Sequence, residues 1–124
     1  MIQKLVWLWC AGGCGTVLRF LLSATLQQTF GPAFPYGTLG VNLLGCFVIG
    51  VFSQWFATVE PHPDLRLILM AGLVGGFTTF SAFELETFSL GQGGVMGIAA
   101  LYVVTSVVLG ILAVWAGTVV MKLA

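Results

Sequence analysis

Charge is nearly absent from four long stretches of this chain, and that absence limits its folds more than any other feature. Residues 5–28, 38–59, 66–90 and 95–121 are each long enough to cross a bilayer. The hydrocarbon core is about 30 Å thick and a helix rises about 1.5 Å per residue, so about 20 apolar residues suffice. Turn-forming residues separate the stretches: Gly31-Pro32 with Pro35 and Gly37, then Pro61 and Pro63, then Gly91 with Gly93-Gly94. No room remains for a soluble domain or a linker. Of the 124 residues, 59% are apolar and 6% charged, where a soluble domain carries about 25% charged residues. A soluble enzyme, a nucleic-acid binder and a disordered tail are excluded on that ground. The net charge of zero also gives no basic footprint for nucleic acid. The expectation is an all-α integral membrane protein, with residues 1–124 forming a single four-helix transmembrane domain. Arg19 would interrupt the apolar region of a signal peptide, so the first stretch reads as a span and not as a cleaved leader.

Four spans place both termini on one side. Trp7, Trp9, Trp55 and Trp115 then fall towards one interface, as an aromatic belt does, and Phe30, Phe34 and Tyr36 towards the other. The loop cations Lys4, Arg66 and Lys122 all lie on the terminal side, and the positive-inside rule makes that side cytoplasmic. Cys10, Cys14 and Cys46 read as small buried hydrophobes, and His62, between two prolines, as a solvated loop residue.

Polar residues inside the spans must face one another or a partner, because lipid cannot satisfy them. Gly12, Thr16, Arg19 and Ser23 share one face of the first span. Thr38, Asn42 and Gly45 do so in the second, and Tyr102, Ser106, Gly110, Ala113 and Gly117 in the fourth. Small residues in these rows suit close helix packing. Arg19 has two readings, an anchor reaching the interface or part of an ion path.

The third span holds the most informative run, from Gly72 to Glu84. Gly72, Gly75 and Gly76, followed by β-branched Thr78 and Thr79, make a weak place in a helix. Residue 76 lies about 15 Å along the axis from Arg66, so a break there falls at the bilayer midplane. Unwound backbone at that depth is tolerated only where protein buries it or where it lines a cavity or ion site. Phe80 and Phe83 follow, three apart on one face. A phenyl ring has a positive edge, against which a small anion can lie, with Asn42 and Ser106 as candidate hydrogen-bond donors. Glu84 and Glu86 oppose an anion by charge, which suits the outer end of the span or a proton-carrying role.

Three motifs, 12-GGCGTVLRF-20, 35-PYGTLGVNLLG-45 and 75-GGFTTFSAF-83, in this order and with this span count, resemble the Fluc (CrcB) family of bacterial fluoride channels. The resemblance covers essentially the whole chain, and the third motif is its specific part. It implies an antiparallel, dual-topology homodimer in the bacterial inner membrane, with the third helix broken at the bilayer midplane. It also implies two fluoride pores, one structural sodium ion at the dimer centre, and export of fluoride that entered the cell as the neutral acid. Carried over by position, Phe80 and Phe83 are the fluoride-facing rings and Asn42 their donor partner. Thr38, Ser81, Tyr102, Ser106, Arg19 and Glu86 line the fluoride path or its vestibules. Backbone carbonyls of Gly75 and Thr78 from both subunits hold the sodium.

The chain departs from the family pattern at Ala82 and Glu84, losing one hydroxyl and gaining one carboxyl. Dual insertion requires a nearly balanced chain. The one-sided loop cations therefore leave two partners open, a second copy or an oppositely oriented relative. The alternative function is a small proton-coupled exporter of the multidrug-resistance type. That class relies on a carboxylate in the first span, where this chain has Arg19.

Overall fold

The computed structural model describes residues 1–124 and is all-helical. Helix α1 is Ile2–Phe30 and α2 is Tyr36–Val59. Helix α3 covers residues 63–77: it starts as α-helix at Pro63–Leu67, widens into a π-helix at Ile68–Val74 and ends in one α-turn at Gly75–Phe77. Helix α4 is Phe80–Gln92 and α5 is Met96–Leu123. With α3 and α4 taken as one segment, the chain has 4 helical segments long and apolar enough to cross a membrane.

Local sequence explains the starts of α3 and α4. Pro63 occupies the first turn of α3, where its missing N–H costs nothing, and His62 Nδ1 accepts from the Asp64 amide at 3.2 Å. Between α3 and α4, Thr78 (φ −88°, ψ 160°) and Thr79 (φ −149°, ψ 119°) are extended. Thr79 is the N-cap of α4. Its Oγ1 accepts from the Ala82 amide at 3.3 Å, filling one of the donor positions that every helix start leaves open.

Within the stretch read from sequence as weak, Gly75 and Gly76 remain helical and Thr78 and Thr79 are the extended residues. The reason is packing. A Cβ on Gly76 would run into the Gly12 carbonyl, and one on Gly15 would run into the Leu73 carbonyl and stand 2.8 Å from the Phe77 nitrogen. These glycines let α1 and α3 approach backbone to backbone. Thr16 Oγ1 spans the contact, donating to Gly12 O at 3.0 Å and reaching Gly76 O at 3.4 Å. The same device joins α2 to α5. A Cβ on Gly50 would meet the Val114 carbonyl, and one on Gly117 the Phe47 carbonyl.

The core inside one chain is thin. Only 14 of 124 residues are buried, Val41, Phe56, Val74, Phe83, Ala99 and Tyr102 being its apolar members. Large side chains such as Trp9, Phe20, Ile111 and Trp115 point outwards, so lipid or another protein surface must cover the outside. At the end that carries the termini, Lys4 Nζ meets Asp64 Oδ1 at 2.7 Å and ties α1 to α3. Both side chains are more than a third exposed, so the pair adds little stability.

The helix contacts carry a direct test. Gly117→Leu forces α5 away from the α2 backbone and is expected to cost about 3 kcal/mol or more, since overpacking against a carbonyl has no rotamer escape. Gly97→Ala, with no atom within 4 Å of the added carbon, is expected to leave stability unchanged or slightly raised. Unfolding in detergent measures both. Equal stability of the two variants would mean that α2 and α5 do not touch at Gly117.

Candidate functional site

The extended link at Thr78 and Thr79 releases backbone groups that a continuous helix would have paired, and each must find another partner. Two are answered by one side chain. The Thr79 N–H donates to Asn42 Oδ1 at 2.8 Å, and Asn42 Nδ2 donates to Thr79 O at 2.9 Å. Asn42, from the middle of α2, thus pairs with Thr79 as a neighbouring strand would. The pattern also fixes which end of the amide is oxygen. The Thr78 N–H and Oγ1 both donate to Val74 O, at 3.0 and 3.1 Å. Arg19 Nη1 donates to Thr78 O at 3.3 Å. The Gly75 carbonyl receives neither of these amides, because Thr78 uses Val74 and Thr79 uses Asn42.

Beside this link lies a cavity of about 300 Å³ whose wall includes Asn42, Thr79, Phe80, Phe83 and Ser106. The rings of Phe80 and Phe83 are 5.7 Å apart and inclined at 49°. Phe83 is buried, and its ring meets that of Tyr102 edge to face at 5.0 Å. Phe80 is 73% exposed within the single chain, so its other side faces away from these five helices. Ser106 Oγ is buried and has no hydrogen-bond partner. Asn42 spends one Nδ2 hydrogen on Thr79 and keeps the second. The cavity is therefore walled by a serine with an unpartnered buried hydroxyl, an asparagine with one amide hydrogen to spare and two phenyl rings, with no ionisable carboxyl among its lining residues.

A more open hollow adjoins it, sharing Thr79 and lined also by Arg19, Ser23, Thr38, Ser81, Ala82 and Glu86. Glu86 is the centre of a small network: Thr38 Oγ1 donates to Oε1 and the Tyr102 hydroxyl to Oε2, each at 2.6 Å. Such short contacts mark charge-assisted bonds. Tyr102 is fully buried and ties the two cavities together, its ring against Phe83 and its hydroxyl on Glu86.

The structure thus gathers the sequence-predicted residues into two adjoining groups. Asn42, Phe80, Phe83 and Ser106 line the inner cavity, and Arg19, Thr38, Ser81 and Glu86 the outer, with Tyr102 between them. Thr78, just past the end of α3, also lines the inner cavity, while Gly75, in the last turn of α3, lines neither. The residue that sequence reasoning passes over is Thr79, whose backbone orients Asn42 and whose hydroxyl starts α4. Its signal is a threonine standing three residues before Ala82 at the head of a helix, a pattern every N-cap threonine shares. No group of three or more His, Cys, Asp or Glu side chains is placed to hold a metal.

Comparison with known proteins finds relatives over nearly the whole chain. The family model described as CrcB-like protein, Camphor Resistance (CrcB), matches residues 6–118. A protein of Rhizobium leguminosarum bv. trifolii named Fluoride-specific ion channel FluC is 46% identical over 123 residues, 98% of each chain. Proteins with the same name from Acidobacterium capsulatum and Phocaeicola vulgatus are 41% identical over 119 residues and 42% identical over 116. The first covers 95% of each chain; the second covers 94% of this chain and 96% of the relative.

The Asn42 pairing can be tested alone. Asn42→Leu keeps the volume and strips Thr79 of both partners, which is expected to cost about 2–4 kcal/mol. Hydrogen exchange at the Thr79 amide should then quicken by an order of magnitude or more. Unchanged exchange there would show that Asn42 does not hold the link.

Proposed function

The chain belongs to the CrcB family, and on that premise we propose that it is a fluoride-selective ion channel that lets cytoplasmic fluoride leave passively and so limits its toxicity. The observation that carries the reading is the inner cavity. Ser106, whose buried hydroxyl has no partner, and Asn42, with one amide hydrogen to spare, line it with Phe80 and Phe83.

Moving a bare anion into a low-dielectric medium costs tens of kcal/mol by Born estimates, so water must be replaced by other donors along the way. Hydroxyl and amide hydrogens supply part of this, and the positive edges of the rings supply the rest. None is a full charge, which keeps binding weak enough for release. The smallest halide also has the largest hydration to lose, so selection for it rests on size, with rigid rings excluding larger halides. The outer hollow serves as the vestibule. Arg19 attracts the anion there, while Thr38 and Tyr102 draw off part of the Glu86 charge by hydrogen bonding. The activity is transport and involves no catalytic step.

The rest of the reading follows the family. The 73% exposure of the Phe80 ring suits a path completed by another subunit, and an antiparallel second copy, or an oppositely oriented relative, supplies it and gives two pores. Residues 78–79 form the break in the third span, at the bilayer midplane. The carbonyls of Gly75 and Thr78 from both subunits hold one structural sodium ion on the two-fold axis. Hard carbonyl oxygens suit a hard cation; Gly75 is exposed within the single chain and its carbonyl lacks the helical donor, while the Thr78 carbonyl, which accepts from Arg19, has a second lone pair to offer. The proposed location is the bacterial inner membrane, with the lipid bilayer around all four spans.

Three outcomes follow. Liposomes holding the purified protein are expected to release fluoride and retain chloride, without any proton gradient. Phe80→Ile and Phe83→Ile are expected to lower fluoride release by an order of magnitude or more, since apolar volume is kept and the ring edge is lost. Comparable chloride release, or a strict need for a proton gradient, would favour an exporter instead. Replacing sodium throughout by a large organic cation is expected to reduce fluoride release strongly. Full activity without sodium would remove the proposed ion.

A further inference from the structure

Glu84 stands in the third membrane segment without a cation of its own chain. The only ion pairs in the structure are those of Asp64 with Lys4 and His62, and Glu84 takes part in neither cavity. Its surroundings are set by the helix. In α4, Phe80, Ser81, Glu84 and Phe88 share one face, and all four are exposed within the single chain. Phe83 and Glu86 turn the other way, towards α5 and α2. Glu84 is one helical turn beyond Phe80, about 6 Å along the axis, and it lies close to Ser81, which lines the vestibule. The end of α4 at Gln92 is eight residues further, about 12 Å. With residues 78–79 at the bilayer midplane, Glu84 lies about 8 Å from it, inside the hydrocarbon half-thickness of about 15 Å, where salt and bulk water screen poorly.

We propose that Glu84 is a flux-setting residue of this channel, its negative charge placed one turn from the Phe80 ring so as to oppose the anion and hold fluoride passage below what the cavity alone would permit. The proposal rests on the fluoride-channel reading and adds to it a part that the donors in the cavity do not explain. Coulomb repulsion between two unit charges several ångströms apart is substantial at the intermediate dielectric of a protein surface. Glu86 does not play the same part, because Thr38 and Tyr102 occupy both its oxygens and Arg19 lines the same hollow. Glu84 has no such partners within its own chain, so its charge is less offset there than that of Glu86.

The test compares initial fluoride release from liposomes, at sub-saturating fluoride and fixed pH, for the full chain and three variants. Glu84→Gln keeps the shape and removes the charge; Glu84→Ser removes both; Glu84→Asp keeps the charge. Each is first checked by gel filtration for the same assembly size. Release is expected to rise about three- to tenfold in Glu84→Gln and in Glu84→Ser, and to stay near the unmodified level in Glu84→Asp. Chloride release should remain low in all of them. Unchanged or slower release in Glu84→Gln and Glu84→Ser, or an equal rise in Glu84→Asp, would overturn the proposal while leaving the channel reading intact. A lack of fluoride release from the unmodified protein would defeat the channel reading itself.

Discussion

In hydrocarbon a free peptide group has no water to turn to, so the extended residues Thr78 and Thr79 persist only because side chains from other helices satisfy them. Asn42 does most of this, pairing with the Thr79 N–H and C=O through both ends of its amide. Arg19 takes the Thr78 carbonyl. These interactions connect three membrane segments at one point. They also set the direction of α4, and with it the position of Phe80 and Phe83. The cavity beside the link exists because α3 stops where it does and α4 restarts two residues later.

The glycine contacts make that point reachable. Asn42 can touch Thr79 only if α2 lies close to the α3–α4 junction. Gly45, directly against the Thr78 side chain, allows this, since a Cβ there would collide with the Thr78 methyl. On the other side of α3, the Gly12, Gly15 and Gly76 contacts bring α1 near enough for Arg19 to span to Thr78. Packing and polarity are thus coupled: small residues draw the backbones together, and the polar side chains among them take up the backbone groups that the extended link sets free. One hydroxyl, Ser106 Oγ, is left without a partner, in a residue that lines the cavity.

Much of this is legible in the sequence. Four apolar segments follow from composition and length, because a bilayer accepts little else. The row Gly12, Thr16, Arg19 and Ser23 reads as one face, and in the structure its members do act together: the first three meet the third segment and Ser23 meets Gly37. The cluster from Gly72 to Thr79 reads as a weak place. Its inner arrangement does not follow from residue types. Glycine marks flexibility and close approach equally well, and here the second use wins, so Gly75 and Gly76 stay helical while the threonines extend. The π-helix at Ile68–Val74 has no sequence signature of its own. Glu86 reads from sequence as a charge that opposes an anion, and its two donors, 48 and 16 positions away along the chain, come into view only in the fold. Asn42 looks like a free donor, and only the fold reveals that half of its amide is already committed to the backbone.

The central claim is that fluoride occupies the space among Asn42, Ser106 and the two rings. Magic-angle-spinning NMR of the protein in lipid bilayers reads this directly from the fluorine nucleus. With ring-carbon-labelled phenylalanine and amide-nitrogen-labelled asparagine, the account predicts a bound fluoride resonance with dipolar coupling to ring carbons and to one side-chain amide nitrogen. The ring coupling should weaken in Phe80→Ile and in Phe83→Ile, and the amide coupling should vanish in Asn42→Leu. A bound fluoride signal with no coupling to any phenyl ring, unaltered in all three variants, would place the ion elsewhere and contradict the account.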